Sequence, residues 1–277
     1  MDSLVMTDWL AGEFGAPDLR VADATFFLPT EGRDARAEFE AAHIPGAVFF
    51  DLEQIVDRDH PAPGMLPPAP AFAASMQALG LGDGDRIVIY DNSPHHSAAR
   101  AWWMLKSYGA ADVAILDGGL SKWRAEGRAV ESGRASPVRS DFTPVTDPHL
   151  LADKKAVMHS KGCVLVDARS AQRFAGEQPE PRPGVAPGHI PGSRNLPHGW
   201  LFNPDNSFKR GEALRAAFEQ AGVDLSRPMI TTCGSGVTAA VVLFGAHLLG
   251  KRDVRLYDGS WAEWGSDPST PKAMGSA

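Results

Sequence analysis

The sequence predicts two tandem α/β domains, each with a parallel-stranded central sheet flanked by helices. Two observations carry this: short apolar runs alternate with helix-forming stretches, and the whole pattern occurs twice along the 277-residue chain. His43-Ile44-Pro45-Gly46 returns as His189-Ile190-Pro191-Gly192, and Val21-Ala22-Asp23-Ala24 as Leu165-Val166-Asp167-Ala168. Ile87-Val88-Ile89-Tyr90-Asp91 lines up with Met229-Ile230-Thr231-Thr232-Cys233. Leu116-Asp117-Gly118-Gly119, followed by Trp123, matches Tyr257-Asp258-Gly259-Ser260, followed by Trp264. Four anchors in one order and at nearly constant spacing mark a duplicated domain, and two copies are too few for a solenoid.

Within a copy each element has its own signal. Arg86 to Tyr90 is a β-branched run bounded by Gly84 and Asn92, the pattern of a buried strand. Ala98 to Tyr108 is rich in helix formers and closes at Gly109. Val113 to Leu116 is again a short strand, ended by Asp117-Gly118-Gly119. Strand, helix, strand is the grammar of a parallel sheet with crossover helices. Val237 to Leu249 is apolar almost all round, so that helix is expected to be buried on both faces, against its own sheet and the other domain. Glu131 to Pro148 is polar, holds three prolines and lacks periodicity, which is linker composition. The expected domains are therefore 1–130, a linker 131–148, and 149–277. A second irregular stretch, Glu177 to Gly188, with four prolines and two glycines, is expected to be a structured surface loop.

Composition narrows the function. Lys plus Arg is 27 against 34 for Asp plus Glu, a formal charge of −7, which lacks the basic balance of nucleic-acid binders. The most apolar run is shorter than the ~20 residues a membrane span needs, so no membrane association is expected. Cys163 and Cys233 are the only cysteines, with no CxxC and no metal-ligand spacing, and the N-terminus has no basic region ahead of its apolar residues. A reducing cytoplasm, with no metal and no cofactor, is the expectation.

Chemistry concentrates at Cys233. It stands where the strand Met229 to Thr232 gives way to Gly234-Ser235-Gly236 and then to a helix starting near Val237. Ligands of open parallel sheets bind outside the carboxyl ends of the strands. Two glycines around a serine let successive N–H groups turn onto one spot, and with the helix N-terminus they favour thiolate over thiol. The matched residue of the first copy is Asp91, so only the second copy has a nucleophile.

Cys233-Gly234-Ser235-Gly236-Val237-Thr238 resembles the active-site loop of the mercaptopyruvate-using branch of the two-domain rhodanese family. The paired HIPG motifs, the Asp-Gly-Gly and Asp-Gly-Ser turns and the two-copy layout resemble that family from about Trp9 to Trp264. The resemblance implies two rhodanese-like domains. It also implies that the Cys233 thiolate takes sulfur from 3-mercaptopyruvate, releases pyruvate and passes the sulfur from a persulfide to thioredoxin, glutathione, another thiol or cyanide. Gly234, Ser235, Gly236, Val237 and Thr238 would form the loop holding the persulfide, with Ser235 bonding the substrate or aiding proton transfer. The family's carboxylate-binding arginines match Arg173 and Arg182, whose planar guanidinium groups suit a carboxylate. Thiosulfate-using members place two basic residues after the cysteine, where this chain has neutral Gly234 and Ser235. The family's serine-linked acid matches Glu53, but its histidine position is Gly64, and His60 stands at the wrong spacing.

Competing readings remain at this level. A cysteine phosphatase would need arginine at Ala239, and a GxSxG hydrolase would need glycines at Cys233 and Val237. Thiosulfate:cyanide sulfurtransferase activity and a persulfide-relay module are the remaining alternatives. His43 and His189 recur in both copies, so a structural turn role is expected; Trp123 and Trp264 are expected to pack, and Cys163 to be a core or strand-edge thiol.

Overall fold

The computed structural model describes residues 1–276. The chain forms two units, each with one five-stranded parallel sheet. The first comprises Met1–Val56, Leu66–Asp147 and Asn203–Ser207; the second comprises Asp57–Met65, Pro148–Phe202 and the chain from Phe208 onward. The short segments Asp57–Met65 and Asn203–Ser207 are thus grouped, by their contacts, with a different unit from their flanks.

In the first unit the elements are β1 (Leu4–Val5), α1 (Thr7–Glu13), β2 (Leu19–Asp23), α2 (Ala35–Ala41), β3 (Val48–Phe49), α3 (Ala69–Leu79), β4 (Arg86–Tyr90), α4 (Ala98–Ser107), β5 (Asp112–Leu116) and α5 (Gly119–Ala125). In the second they are β6 (Leu151–Ala152), α6 (Lys154–Met158), β7 (Val164–Asp167), α7 (Ala171–Ala175), β8 (Arg194–Asn195), α8 (Gly211–Gln220), β9 (Met229–Thr232), α9 (Val237–Leu248), β10 (Val254–Tyr257) and α10 (Ser260–Trp264). Strand orders are β1-β5-β4-β2-β3 and β6-β10-β9-β7-β8, the same topology twice. The repeat read from the sequence is a repeat of fold.

The central strands β4 and β9 read as near-continuous apolar runs because helices cover both faces of each sheet. Ile87 to Tyr90 and Met229 to Thr232 are all buried. Around β4 the core gathers Val88, Tyr90, Leu116 and Trp123; around β9 it gathers Ile230, Tyr257, Trp261 and Trp264. Helix α9 is buried along Ala239 to Ala246, which explains its lack of a polar face. The stretch 131–147 carries no helix and lies along the first unit, where Phe142 is buried, Glu131 exchanges two backbone bonds with His43 (2.9 Å each) and Asp147 N–H donates to Ser107 O (2.8 Å). Among the described residues no helix is long and apolar enough to cross a membrane.

Topology positions the site. From β7 the chain moves outward to β8, then returns to β9 on the other side of β7 before going on to β10. The β7/β9 boundary is thus the point where strand order reverses, and the crevice there lies outside the carboxyl ends of the strands. Register pairs Asp167 with Thr232, so Arg169 and Cys233 both emerge at that reversal.

Candidate active site

Cys233 follows β9 directly and is pinned by its backbone. Trp261 N–H donates to Cys233 O and Ala262 N–H to Gly234 O, both at 2.9 Å. Cys233 N–H donates to Ser260 Oγ (3.2 Å), and that hydroxyl donates to Tyr257 O (2.8 Å). Gly236, in left-handed backbone at φ 82°, opens the twelve-residue helix α9 and turns its N–H onto Cys233 Sγ at 3.1 Å. That φ is open to glycine at little steric cost. The sequence led us to expect several amides around the sulfur; among the described residues one N–H reaches it. The sulfur therefore has that single bond and its place at the start of α9. Cys233 is 2% exposed and Ser235 9%.

The expected arginines meet the loop in different ways. A Cβ on Gly234 would lie 3.0 Å from Arg173 Nη2 and 3.7 Å from Nη1, so the guanidinium is seated against the backbone next to the nucleophile. Arg173 is ion-paired, Nη2 to Glu180 Oε2 at 2.5 Å. Arg182 is half-buried, and burial holds its guanidinium below the ordinary arginine value; Cys233 opposes that shift, Arg173 reinforces it and Glu180 opposes it. Arg182 makes no ion pair with any described residue. The loop 177–188 that carries it is irregular in backbone, as expected, and Glu180 anchors it with a side chain 4% exposed.

Gly64, in the segment grouped with the second unit, has φ 75°, and a Cβ there would lie 3.5 Å from Ser235 O. Position 64 is thus beside the loop, but it offers no acid or base. His60 takes its Nδ1 to the N–H of Ala62 (3.1 Å). Glu53 lies in the first unit, exposed, with its N–H on Asp51 Oδ1 (3.1 Å), and lines a cavity of about 410 Å³ together with Arg33, Arg36 and Gln54. His43 and His189 are buried and stack on Phe39 and Phe174 at 4.0 and 3.7 Å, with Nδ1 on the carbonyl of the stacking residue in each case. Both are structural. Trp123 and Trp264 are each 1% exposed core residues. Cys163 is a free, half-buried thiol 3.9 Å from Arg255 Nη2. Among the described residues no cluster of His, Cys, Asp or Glu could hold a metal ion.

The Rhodanese-like domain matches residues 7–126 and again 151–267. The chain belongs to the rhodanese family. Human 3-mercaptopyruvate sulfurtransferase is 44% identical over 271 residues, covering 95% of this chain and 91% of the human protein. The thiosulfate sulfurtransferase of Cricetulus griseus is 41% identical over 273 residues, with the same coverage of 95% and 91%. Among solved structures, the 3-mercaptopyruvate sulfurtransferase SseA from Escherichia coli superposes with a TM-score of 0.86 at 37% identity, covering 94% of this chain and 99% of its own. This rhodanese therefore has two differently named activities among its relatives.

Three residues of the site escaped the sequence reading: Ser260, Arg169 and Glu180. For Ser260 a signal was present, since the duplicated turn reads Asp-Gly-Gly in the first copy and Asp-Gly-Ser in the second. Arg169 and Glu180 sit in ordinary-looking polar surroundings, and nothing local marks that their charges are buried.

Proposed function

We propose that this rhodanese moves sulfur from 3-mercaptopyruvate to a thiol or to cyanide through a persulfide on Cys233. The Cys233 thiolate attacks the donor sulfur, and the carbon–sulfur bond breaks with its electron pair passing to the three-carbon fragment. That enolate takes up a proton and leaves as pyruvate; the proton formerly on the donor sulfur balances the one gained at carbon. The acceptor then attacks the outer sulfur of the persulfide and Cys233 departs as thiolate. The observation that carries this reading is the Arg173 guanidinium, whose Nη2 lies 3.0 Å from the Cβ position of Gly234, next to Cys233, with Arg182 half-buried and without an ion-pair partner among the described residues.

Arg173 and Arg182 bind the donor's carboxylate, and the neutral Gly234 and Ser235 favour a keto acid over a small dianion. Gly236 N–H and the start of α9 stabilise the anionic sulfur. Ser235, whose hydroxyl is bonded to no described residue, serves the departing enolate in this scheme. Glu53 carries no step in this scheme, because its acid would need a histidine at position 64, where the chain has Gly64. An exposure of 2% at Cys233 favours a small donor over a relay between bulky protein partners. Thioredoxin, glutathione and cyanide are the acceptors considered, and two unpaired cysteines support a reducing, cytoplasmic setting.

The test compares kcat/KM for 3-mercaptopyruvate and thiosulfate under identical conditions, beside Cys233→Ser. A ratio above one and a folded but inactive Cys233→Ser variant are expected. A preference for thiosulfate would assign the activity named for the Cricetulus griseus relative instead. Retained sulfur transfer in Cys233→Ser would remove Cys233 from the mechanism.

A further inference from the structure

Four charged side chains form an alternating row leading to the loop: Asp167, Arg169, Glu180 and Arg173. Arg169 is wholly buried, and four of its five N–H groups have acceptors. Its Nε and Nη2 donate to Asp167 (2.7 to 3.1 Å), Nη2 also donates to Gly188 O (2.8 Å), Nη1 donates to Glu180 Oε1 (2.7 Å), and the guanidinium lies 4.7 Å from the Trp261 ring centroid. Burial opposes its charge, but Asp167 and then Glu180 outweigh that and raise its pKa. Arg169 is thus a fixed post. Glu180 is tied to that post through Oε1 and reaches Arg173 with both oxygens, accepting from Nη2 at 2.5 Å and from Nε at 3.4 Å.

A guanidinium has two edges that can meet a carboxylate, the side edge Nε/Nη2 and the end edge Nη1/Nη2. Glu180 occupies the side edge. The end edge is the one facing Gly234, since Nη2 and Nη1 are the two arginine atoms nearest to its Cα substituent position. Asp167 and Glu180 together balance Arg169 and Arg173, so the row sums to zero and Arg182 supplies the net positive charge of the cluster.

We propose that Glu180 is the positioning residue of this site: anchored on buried Arg169, it grips the side edge of Arg173 and aims the end edge at the Gly234 backbone beside Cys233. This rests on reading Arg173 as part of the donor's carboxylate site. Glu180 touches neither sulfur nor donor. Without it Arg173 keeps its charge but loses its orientation, and oriented bonds are what a bound carboxylate needs.

The experiment uses the full chain with Glu180→Gln, which keeps the size but sets an amide NH₂ against a guanidinium, and Glu180→Ala, with thermal unfolding to verify folding. Loss of a charge-assisted bond predicts that KM for 3-mercaptopyruvate rises roughly tenfold while kcat changes less than about threefold. Glu180→Gln added to Arg173→Ala should do no further harm, because Glu180 acts only through Arg173. An unchanged KM in a folded variant, or losses that multiply, would overturn the inference. A second readout is independent of the donor: the Arg173 Nε–H resonance, identified by its loss in Arg173→Lys, should be held apart from solvent exchange in the native protein and released in Glu180→Gln. An unaltered resonance would overturn the positioning role. Absence of mercaptopyruvate turnover in the native protein, with the resonance behaving as described, would instead overturn the donor reading alone.

Discussion

Asp91 and Cys233 end the same central strand in the two copies of the domain. Asp91 O accepts from Leu120 N–H (3.1 Å) as Cys233 O accepts from Trp261 N–H (2.9 Å). Beyond the strand, Asp91 sends its carboxylate into the cradle, accepting from Ser93 N–H (2.9 Å) and from Ala98 N–H (2.7 Å) at the start of α4. Cys233 offers its sulfur to Gly236 N–H at the start of α9. One cradle holds a carboxyl group, the other a thiol sulfur.

That carboxylate makes the first unit sensitive to pH. Burial pushes Asp91 up to about 7, against the two amide bonds, and Asp23 up to about 6. A carboxyl with a raised folded-state value keeps its proton in the folded protein over a window where the unfolded chain has lost it. Stability therefore falls as pH rises from about 4 to about 7, by up to about 1.4 kcal/mol per pH unit for each group. Urea unfolding of the native protein should show lower stability at about pH 8 than at about pH 5, and Asp91→Asn should reduce that difference. An equal difference in the variant would mean Asp91 is ionised in the fold throughout.

Arg182→Ala and Arg173→Ala should each lower kcat/KM for 3-mercaptopyruvate by about 1.5–3 kcal/mol, the range of a lost charged hydrogen bond. Arg182 has no ion-pair partner among the described residues, so its removal should leave unfolding little changed. Arg173→Ala also strips Glu180 of one partner and should lower stability measurably. Unchanged kinetics in both variants would leave the carboxylate without its proposed site.

Gly234→Ala should reduce activity although no functional group is lost. The new methyl would sit 3.0 Å from Arg173 Nη2, and Arg173, held by Glu180, gives way only by straining that pair. Overpacking of this kind costs about 1–3 kcal/mol. Gly234→Arg with Ser235→Lys should shift preference toward thiosulfate by adding loop charge, and it should do so with loss of mercaptopyruvate use. Steady-state rates with both donors check the pair of outcomes.

Ser260 adopts φ 48°, a left-handed conformation that its counterpart Gly119 tolerates at φ 56°. Ser260→Ala keeps the strain and orphans the Cys233 N–H, so about 1–3 kcal/mol should be lost. Ser260→Gly loses the same bond but relieves roughly 1 kcal/mol or more of strain, and should be the more stable of the two. Thermal unfolding that ranks Ala above Gly would mean that the backbone at position 260 is unstrained, and a Ser260→Ala variant as stable as the native protein would mean that the hydroxyl does not anchor the nucleophile.

The sequence by itself determined the duplication, the parallel α/β class, the β4, β9 and α9 segments and the place of Cys233, because each is written in local periodicity or in a motif recurring at matched positions. Apolar runs such as Ile87 to Tyr90 declare a strand buried on both faces wherever they occur. Tertiary structure alone decided how charge is distributed around the sulfur. Asp167, Arg169, Glu180 and Arg173 become a row only when β7, α7 and the 177–188 loop converge at the strand reversal, and burial gives each charge its partner. The assignment of Asp57–Met65 to the second unit and of 131–147 to the first likewise depends on contacts distant in sequence, which no local pattern encodes.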